Sequence, residues 1–244
     1  MVEGSGPPAG IRSGARALAT VRGEKARLRL QGLPRRPVEL SSALRLLGEL
    51  RRLGWQRSVV ERRPVDESGL PVPWLNYSAA SALAGLVGPE TRVFEYGCGY
   101  STAWLAERSG DVHAVEHDRA WFVQLDKLLD ASAVDIRLID CEGDALDAPA
   151  GDSYVEAPAQ LAAERPFDVV IIDGMARRSC LEQAERILAH DGVVVLDDTE
   201  RPELARAGRS LIEGGRFRQF DLHGPKPGMG HLTTTTFYVR RGVA

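Results

Sequence analysis

The sequence has few cysteines and no long apolar run. Its 244 residues include three cysteines, which form no Cys-x-x-Cys pair and leave one without a disulfide partner, as is typical of a reducing compartment with free thiols. No apolar stretch approaches the length of a membrane span, and the first residues lack the apolar core of a signal peptide. We therefore expect a cytoplasmic protein that does not associate with a membrane.

The overall charge is small but unevenly distributed. The net charge is −3, yet residues 1–63 hold 14 Lys and Arg against 5 Asp and Glu. A basic segment of this kind can attract an anionic partner such as RNA, and it is also typical of a solvated helix face. We favour the solvated face, so nucleic acid is not the expected partner.

Three regions are predicted along the chain. Residues 1–37 form a flexible basic segment rich in Gly and Pro, within which residues 11–33 could hold a helix or a strand. Residues 38–76 form a helical N-terminal extension, because leucines recur at helical spacing between Leu40 and Leu50. Residues 77–244 form the main domain. The N-terminal helices could pair between subunits, so a homo-oligomer is left open.

Strands and helices alternate in the main domain, which predicts an α/β fold. The predicted helices include residues 101–108, 119–129 and 180–189, and the predicted parallel strands are residues 92–96, 112–116, 135–139, 168–173 and 192–197. The last two strands are almost wholly apolar, which suits central strands covered on both faces. The strands predicted at residues 216–222 and 232–240 have no helix between them and should form an antiparallel hairpin.

A glycine pair between a strand and a helix is the most informative motif. The strand that ends at Glu95-Tyr96 runs into Gly97-Cys98-Gly99, a helix follows, and the next strand ends in Glu116. This is the layout of a nucleotide-binding βαβ unit. Glycines let the backbone approach a ligand, and an acid at the strand end can hold two ribose hydroxyls. The motif therefore predicts an adenosine-containing cofactor.

With these features, residues 77–240 resemble the class I S-adenosylmethionine-dependent methyltransferases. The resemblance is carried by Glu95 two residues before Gly97, by Thr102 where a dinucleotide-binding motif has its third small residue, and by the terminal hairpin. It implies a Rossmann-like sheet of seven mostly parallel strands, with the antiparallel hairpin at its end and the helical extension before it. It also implies S-adenosylmethionine as the cofactor.

The resemblance implies cofactor contacts at the strand ends. Glu95 would bind the methionine amino group or shape the turn, Glu116 would accept from both ribose hydroxyls, and His117 would flank the adenine. The other implied cofactor-binding residues are Gly97, Cys98, Gly99, Ser101 and Thr102 in the turn, Asp140 and Cys141 beside the adenine amino group, and Asp173 near the methyl group.

Three acids follow the fourth and fifth strands, namely Asp173, Asp197 and Asp198. Carboxylates this close repel each other unless a cation or protons neutralise them, and oxygen ligands suit Mg²⁺. The arrangement is similar to that of catechol and macrocin O-methyltransferase-like enzymes, in which a divalent metal lowers the pKa of a substrate hydroxyl. Three interpretations stay open: the acids bind Mg²⁺, Arg177 and Arg178 neutralise them without a metal, or Asp197 or Asp198 is a hydrogen-bonded helix cap beside Thr199.

Two residues are candidates for the catalytic base. Asp173 is the first, acting directly or as a metal ligand, and His231 in the Gly-rich loop before the last strand is the second. Substrate contacts are expected from residues near the ligand-binding edge of the sheet, although surface ion pairs or packing would explain the same residues. These candidates are Arg177, Arg178, Arg201, Trp74 and Tyr77.

The turn after the fourth strand bears on the methyl acceptor. Enzymes that methylate base amines commonly carry Asn/Asp-Pro-Pro-Tyr/Phe there, whereas this chain has Asp173-Gly174-Met175. We therefore expect O-methylation of a small molecule, such as a sugar or secondary metabolite, and Mg²⁺ is a candidate cofactor for this reaction. The alternatives are an RNA or protein methyltransferase that uses the basic segment, and a non-catalytic cofactor-binding partner subunit.

Overall fold

The computed structural model describes residues 37–125, 129 and 134–241. The predicted flexible segment, except for Pro37, and the choice between helix and strand at residues 11–33 therefore lie outside the described residues. The chain divides into two compact units, one of residues 1–70 and 225–231 and the other of residues 71–224 and 232–244. The predicted domain boundary at residue 77 stays a prediction.

The first unit contains two helices, α1 (Pro37–Arg52) and α2 (Trp55–Glu61). Gly54 joins them in the left-handed region at φ +81°, where a Cβ would lie 2.2 Å from the carbonyl oxygen of Val65. The buried hydroxyl of Ser58 lies 2.9 Å from the carbonyl oxygens of both Gly54 and Val65. Trp55 donates its indole N–H to the carbonyl of Met229 at 2.8 Å, which ties residues 225–231 to α2.

The second unit is built on a seven-stranded sheet. Its strands are β1 (Arg92–Tyr96), β2 (Asp111–Glu116), β3 (Asp135–Leu138), β4 (Phe167–Ile172), β5 (Leu188–Leu196), β6 (Phe217–Pro225) and β7 (Leu232–Arg240). Their order is β3-β2-β1-β4-β5-β7-β6. Strands β1 to β5 pair in parallel, whereas β7 is antiparallel to β5. The predicted Rossmann-like fold with a C-terminal hairpin is confirmed.

Eight described helices accompany the sheet. They are α3 (Tyr77–Ala84), α4 (Tyr100–Ala106), α5 (Arg119–Leu125), α6 (Ser153–Glu156), α7 (Ala159–Glu164), α8 (Arg177–Ile187), α9 (Pro202–Ala207) and α10 (Arg209–Glu213). Among the described residues, no helix is both long and apolar enough to cross a membrane. Asn76 caps α3 by accepting the backbone N–H of Ala79 at 2.9 Å, as its short amide side chain favours.

One helix boundary departs from the prediction in a way that matters for the site. The helix predicted at residues 180–189 begins at Arg177 and ends at Ile187. Ala176, directly before it, adopts the left-handed conformation at φ +49°. The following strand starts at once with Leu188. Because the helix starts three residues early, Arg177 lies in its first turn, close to the end of β4.

The core lies on both faces of the sheet. Strand β1 is buried at all five positions, and its alternate residues join different clusters. Phe94 and Tyr96 pack on one face, while Val93 packs on the other with Val169 of β4. This two-sided burial is what the apolar runs in the sequence predicted.

The close approach of two glycines generates a stability prediction. Gly97 has φ +85°, and a Cβ there would lie 2.6 Å from Cα of Gly174. Gly151 has φ +79° with nothing within 4 Å of its Cβ position. We expect Gly151→Ala to cost about 1–2 kcal/mol of unfolding free energy through backbone strain, and Gly97→Ala to cost about 1–3 kcal/mol more through overpacking. Urea unfolding measures both, and equal losses would contradict the packing argument.

Candidate cofactor and acceptor site

The carboxyl ends of β1, β2, β4 and β5 meet at one edge of the sheet. In open parallel sheets this edge is where ligands bind. Glu95 and Glu116 stand near the ends of β1 and β2, and Asp173, Asp197 and Asp198 follow β4 and β5. The structure therefore brings together five of the acids that the sequence marked as site residues.

Glu95 is fully buried, with 0% of its surface exposed. Its Oε2 accepts the hydroxyl of Thr102 at 2.5 Å, but among the described residues its Oε1 has no hydrogen-bond partner. Burial raises the pKa of Glu95 to about 7, against the opposing effect of the Ser101 and Thr102 side chains. A buried carboxylate oxygen without a donor is costly. The amino group of a ligand would supply that donor, so this residue fits the expected methionine moiety.

The glycine turn is organised around Thr102. The backbone N–H of Gly99 donates to the Thr102 hydroxyl at 2.8 Å, and that hydroxyl donates to Glu95. The residue at the third small position of the motif thus links the turn to the carboxylate. Gly97 is required by the approach of Gly174, whereas a Cβ at Gly99 would meet nothing nearer than 3.7 Å.

Glu116 is held by the backbone that follows it. The residue is buried, with 3% exposed, and its Oε1 accepts the backbone N–H groups of His117 at 2.8 Å and of Asp118 at 2.7 Å. His117 Nδ1 lies 2.9 Å from the same oxygen, and the pKa of His117 is raised by this carboxylate. These contacts all fall on Oε1, and they orient the carboxylate.

The residues after β3 and one further tyrosine border the same region. Asp140 is exposed and Cys141 is half-buried; burial raises the pKa of the Cys141 thiol. Tyr154 is fully buried, and its ring lies 6.1 Å from that of His117. No sequence pattern pointed to Tyr154, because it lies in a four-residue helix within an irregular stretch. Its hydroxyl would meet a Cβ at Gly174, so it supports the turn after β4.

Arg177 occupies the space between the acids that follow β4 and β5. Its Nη2 donates to Asp173 Oδ1 and to the Asp173 carbonyl, both at 2.8 Å. Its Nη1 donates to the Asp197 carbonyl at 3.0 Å and to Asp198 Oδ2 at 3.2 Å, and its Nε donates to the Gly174 carbonyl at 3.0 Å. Arg177 is 8% exposed. Burial acts to lower the pKa of Arg177, but the surrounding acids outweigh burial and raise it.

The three acids converge as the sequence predicted. One carboxylate oxygen from each of Asp173, Asp197 and Asp198 lies within 4.8 Å of the others. However, Asp173 and Asp198 pair with Arg177, and Asp197 Oδ1 accepts the hydroxyl of Thr235 at 2.6 Å. Mg²⁺ binds oxygens at about 2.0–2.1 Å with octahedral geometry. In this arrangement the donor set does not fit a divalent cation, because the guanidinium already contacts the same acids.

The remaining candidates for substrate contact have other partners or a different location. Arg178 pairs with Asp147 and Arg201 with Glu203, both as exposed ion pairs. The other candidates for substrate contact are Trp74, which is 36% exposed, and Tyr77, whose pKa burial raises. His231, the second candidate for the base, is exposed and belongs to the unit that includes residues 225–231.

Sequence reasoning missed the threonines of β7. Thr235 is fully buried and hydrogen-bonds Asp197, and Thr236 lies 2.7 Å from the hydroxyl of Thr199. The run of four threonines from Thr233 within a predicted strand could have indicated these contacts, because buried hydroxyl groups need hydrogen-bond partners.

Comparisons with known proteins agree with this architecture. A family model described as a methyltransferase domain matches residues 94–199. The chain is similar to a crystal structure of an O-methyltransferase from Bacillus cereus in complex with SAH, with 18% identity and a TM-score of 0.55 over 79% of this chain and 99% of that one. None of the curated proteins compared with the chain matches it.

Two further solved structures are similar at lower structural scores. A cofactor-bound protein from MTB has 21% identity over 72% of this chain and 86% of that one, with a TM-score of 0.49. An rRNA methylase from Streptococcus thermophilus has 12% identity over 70% of this chain and 100% of that one, with a TM-score of 0.48. At these identities the likeness concerns the fold alone.

Glu95 generates a prediction that separates binding from stability. At pH 8 the buried carboxylate is ionised, because this pH lies above its raised pKa of about 7. The folded state binds a proton more tightly than the unfolded chain, so this group lowers stability as pH rises from 4.5 to 7. We expect Glu95→Gln to raise the unfolding midpoint at pH 8 and to weaken S-adenosylhomocysteine binding at least about tenfold. Calorimetry and thermal unfolding measure the two effects.

Glu90→Gln is the matched control for this variant, since Glu90 is an exposed glutamate just before β1. It should change neither quantity. Unchanged S-adenosylhomocysteine affinity in folded Glu95→Gln would contradict a contact between Glu95 and the ligand amino group.

A second prediction concerns pH and the same carboxylate. A bound ammonium group favours ionised Glu95, so binding should lower its pKa and release a proton near pH 7. Affinity for S-adenosylhomocysteine should therefore rise between pH 6 and pH 8. Calorimetry in two buffers of different ionisation enthalpy measures the released proton. If wild-type protein and Glu95→Gln released the same number of protons, another group such as His117 would be responsible.

Proposed function

We propose that this chain, of which residues 94–199 match a methyltransferase domain, is a class I S-adenosylmethionine-dependent methyltransferase that transfers the methyl group of S-adenosylmethionine to a hydroxyl of a small molecule. The observation that carries the proposal is a pair of partly exposed carboxylates at the ligand-binding edge of the sheet. The side chains of Asp173 and Asp198 are 27% and 26% exposed, and Arg177 holds both. Such groups can accept a proton from an approaching hydroxyl.

Cofactor binding is proposed to use the strand-end acids. Glu95 would receive the methionine amino group at Oε1, and Glu116 would accept the ribose hydroxyls at Oε2. His117, Asp140 and Cys141 would border the adenine. The turn beneath the cofactor would consist of Gly97, Cys98, Gly99, Ser101 and Thr102.

The chemistry then requires positioning and one proton acceptor. S-adenosylmethionine supplies an electrophilic methyl carbon when bound, and attack on it is an in-line displacement that depends mainly on orientation. Asp173 would receive the proton of the attacking hydroxyl at its carboxylate. Arg177 would position Asp173, because Nη2 donates to both its carboxylate and its carbonyl.

The remaining assignments of this proposal concern the acceptor and its surroundings. His231 is the second candidate for the base. Arg178, Arg201, Trp74 and Tyr77 are proposed to contact the acceptor. The acceptor is expected to be a sugar or secondary metabolite, because the turn Asp173-Gly174-Met175 lacks the diproline of enzymes that methylate base amines. The free cysteines of the described residues suit a cytoplasmic location.

Two alternatives each rest on one observation. The basic excess of residues 1–63 favours an RNA or protein acceptor, and salt-dependent RNA binding in a gel-shift titration would support the RNA version. Convergence of Asp173, Asp197 and Asp198 is the observation behind the other alternative, a metal-assisted reaction, which the contacts of Arg177 with Asp173 and Asp198 disfavour. A non-catalytic partner subunit is distinguished from all of these by the absence of methyl transfer from the isolated chain.

Asp173→Asn tests the proposed base. With methyl-labelled S-adenosylmethionine and a panel of phenols, sugars and hydroxy acids, we expect the wild-type chain to label a hydroxyl. The variant should lose about 100-fold or more in rate, since general-base catalysis contributes that much, while S-adenosylhomocysteine affinity changes little. Asp191→Asn, an exposed aspartate on β5, is the control. Full activity in Asp173→Asn, or label found only in added RNA, would overturn the proposal.

A further inference from the structure

We propose that Arg177 takes the place of a divalent cation at the ends of β4 and β5, so that methyl transfer by this chain needs no metal. This inference deepens the proposed function and rests on it for the reaction. Metal binding at these acids can be measured without knowing the methyl acceptor. The inference is carried by the hydrogen bonding, burial and charge of one side chain.

All hydrogen-bond donors of the Arg177 guanidinium are satisfied by neighbouring residues. A guanidinium has five N–H donors in a fixed planar fork. Arg177 makes five hydrogen bonds, two from Nη1, two from Nη2 and one from Nε. Two go to carboxylates and three to backbone carbonyls. Each N–H donor of the guanidinium therefore has an acceptor, and these contacts hold the side chain in one position between the two turns.

The positive charge of Arg177 offsets the negative charge of the strand-end acids, which would otherwise attract a metal ion. Asp173 and Asp198 both lie against the guanidinium, at 2.8 Å and 3.2 Å. Asp197 is fully buried and receives the Thr235 hydroxyl. The repulsion between the acids is thus offset from inside the protein, by a group that is itself nine-tenths buried.

A metal could bind here only after Arg177 left. Departure of the guanidinium would leave the carbonyls of Asp173, Gly174 and Asp197 without the donors they now have, and buried acceptors without donors are costly. The backbone of Arg177 is also anchored, since its N–H donates to the carbonyl of Ala145 at 3.3 Å. The arginine and the cation are therefore mutually exclusive.

A site without a metal would accept a wider range of methyl acceptors. A divalent metal holds two adjacent substrate oxygens, whereas Arg177 has no donor left to hold either. The acceptor then needs only one hydroxyl, and its proton passes to Asp173. The proposed acceptors therefore include small molecules with a single hydroxyl.

Mn²⁺ titration followed by electron paramagnetic resonance tests the inference. We expect wild-type protein to show no stoichiometric Mn²⁺ binding, and Arg177→Met to bind one Mn²⁺ at least about tenfold more tightly, because Asp173 and Asp198 then lose their guanidinium partner. Arg177→Met combined with Asp198→Asn should lose that site. Arg186→Met, the same substitution at an exposed position of α8, should behave as wild type.

Each outcome decides the inference. Stoichiometric Mn²⁺ binding by wild-type protein that Asp198→Asn abolishes would overturn it, as would a folded Arg177→Met that binds no Mn²⁺. If Arg177→Met does not fold, the wild-type titration decides alone, and lack of binding supports the inference. Binding of S-adenosylhomocysteine and methyl transfer are measured separately, so a failure of the proposed function is distinguishable from a failure of this one.

Discussion

The ion-pair network of Arg177 is the interaction on which the ligand-binding edge of the second unit depends. A single guanidinium joins the turn after β4 to the turn after β5 through five hydrogen bonds. The turn after β4 is also the surface against which Gly97 packs, because no Cβ fits between Gly97 and Gly174. The position of the β1 turn, and with it that of Glu95, is therefore tied to the same place.

The site concentrates charge that a folded protein would otherwise avoid. Burial, with a smaller effect of the neighbouring acids Asp173 and Glu116, raises the pKa of Glu95 to about 7. Ionised groups in such surroundings are costly unless they are paired. Arg177 pairs two acids internally, whereas Glu95 keeps one oxygen without a partner among the described residues. The unpartnered oxygen of Glu95 thus lowers the stability of the unbound protein, and a ligand amino group that donates to this oxygen would offset the loss. Such locally destabilising groups are typical of functional sites.

Local patterns in the sequence predicted the fold and most of the strand-end acids. Strands β1 and β7 coincide with their predictions because β-branched and aromatic residues, which favour strands, dominate them. The convergence of Asp173 with Asp197 follows from parallel pairing of β4 and β5. The partner of these acids could not be selected from the sequence, because Arg177 and Arg178 are adjacent and the start of α8 decides which one points inward. Tyr154 and Thr235 depend on contacts between distant parts of the chain, which no local period records.

A crystal structure of the chain grown with S-adenosylhomocysteine and Mg²⁺ tests the central claim most directly. The account predicts that Arg177 bridges Asp173 and Asp198 with no metal density between them, and that the ligand amino group lies within hydrogen-bond distance of Glu95 Oε1. A Mg²⁺ ion coordinated by Asp173 and Asp198, with the Arg177 side chain displaced, would contradict it.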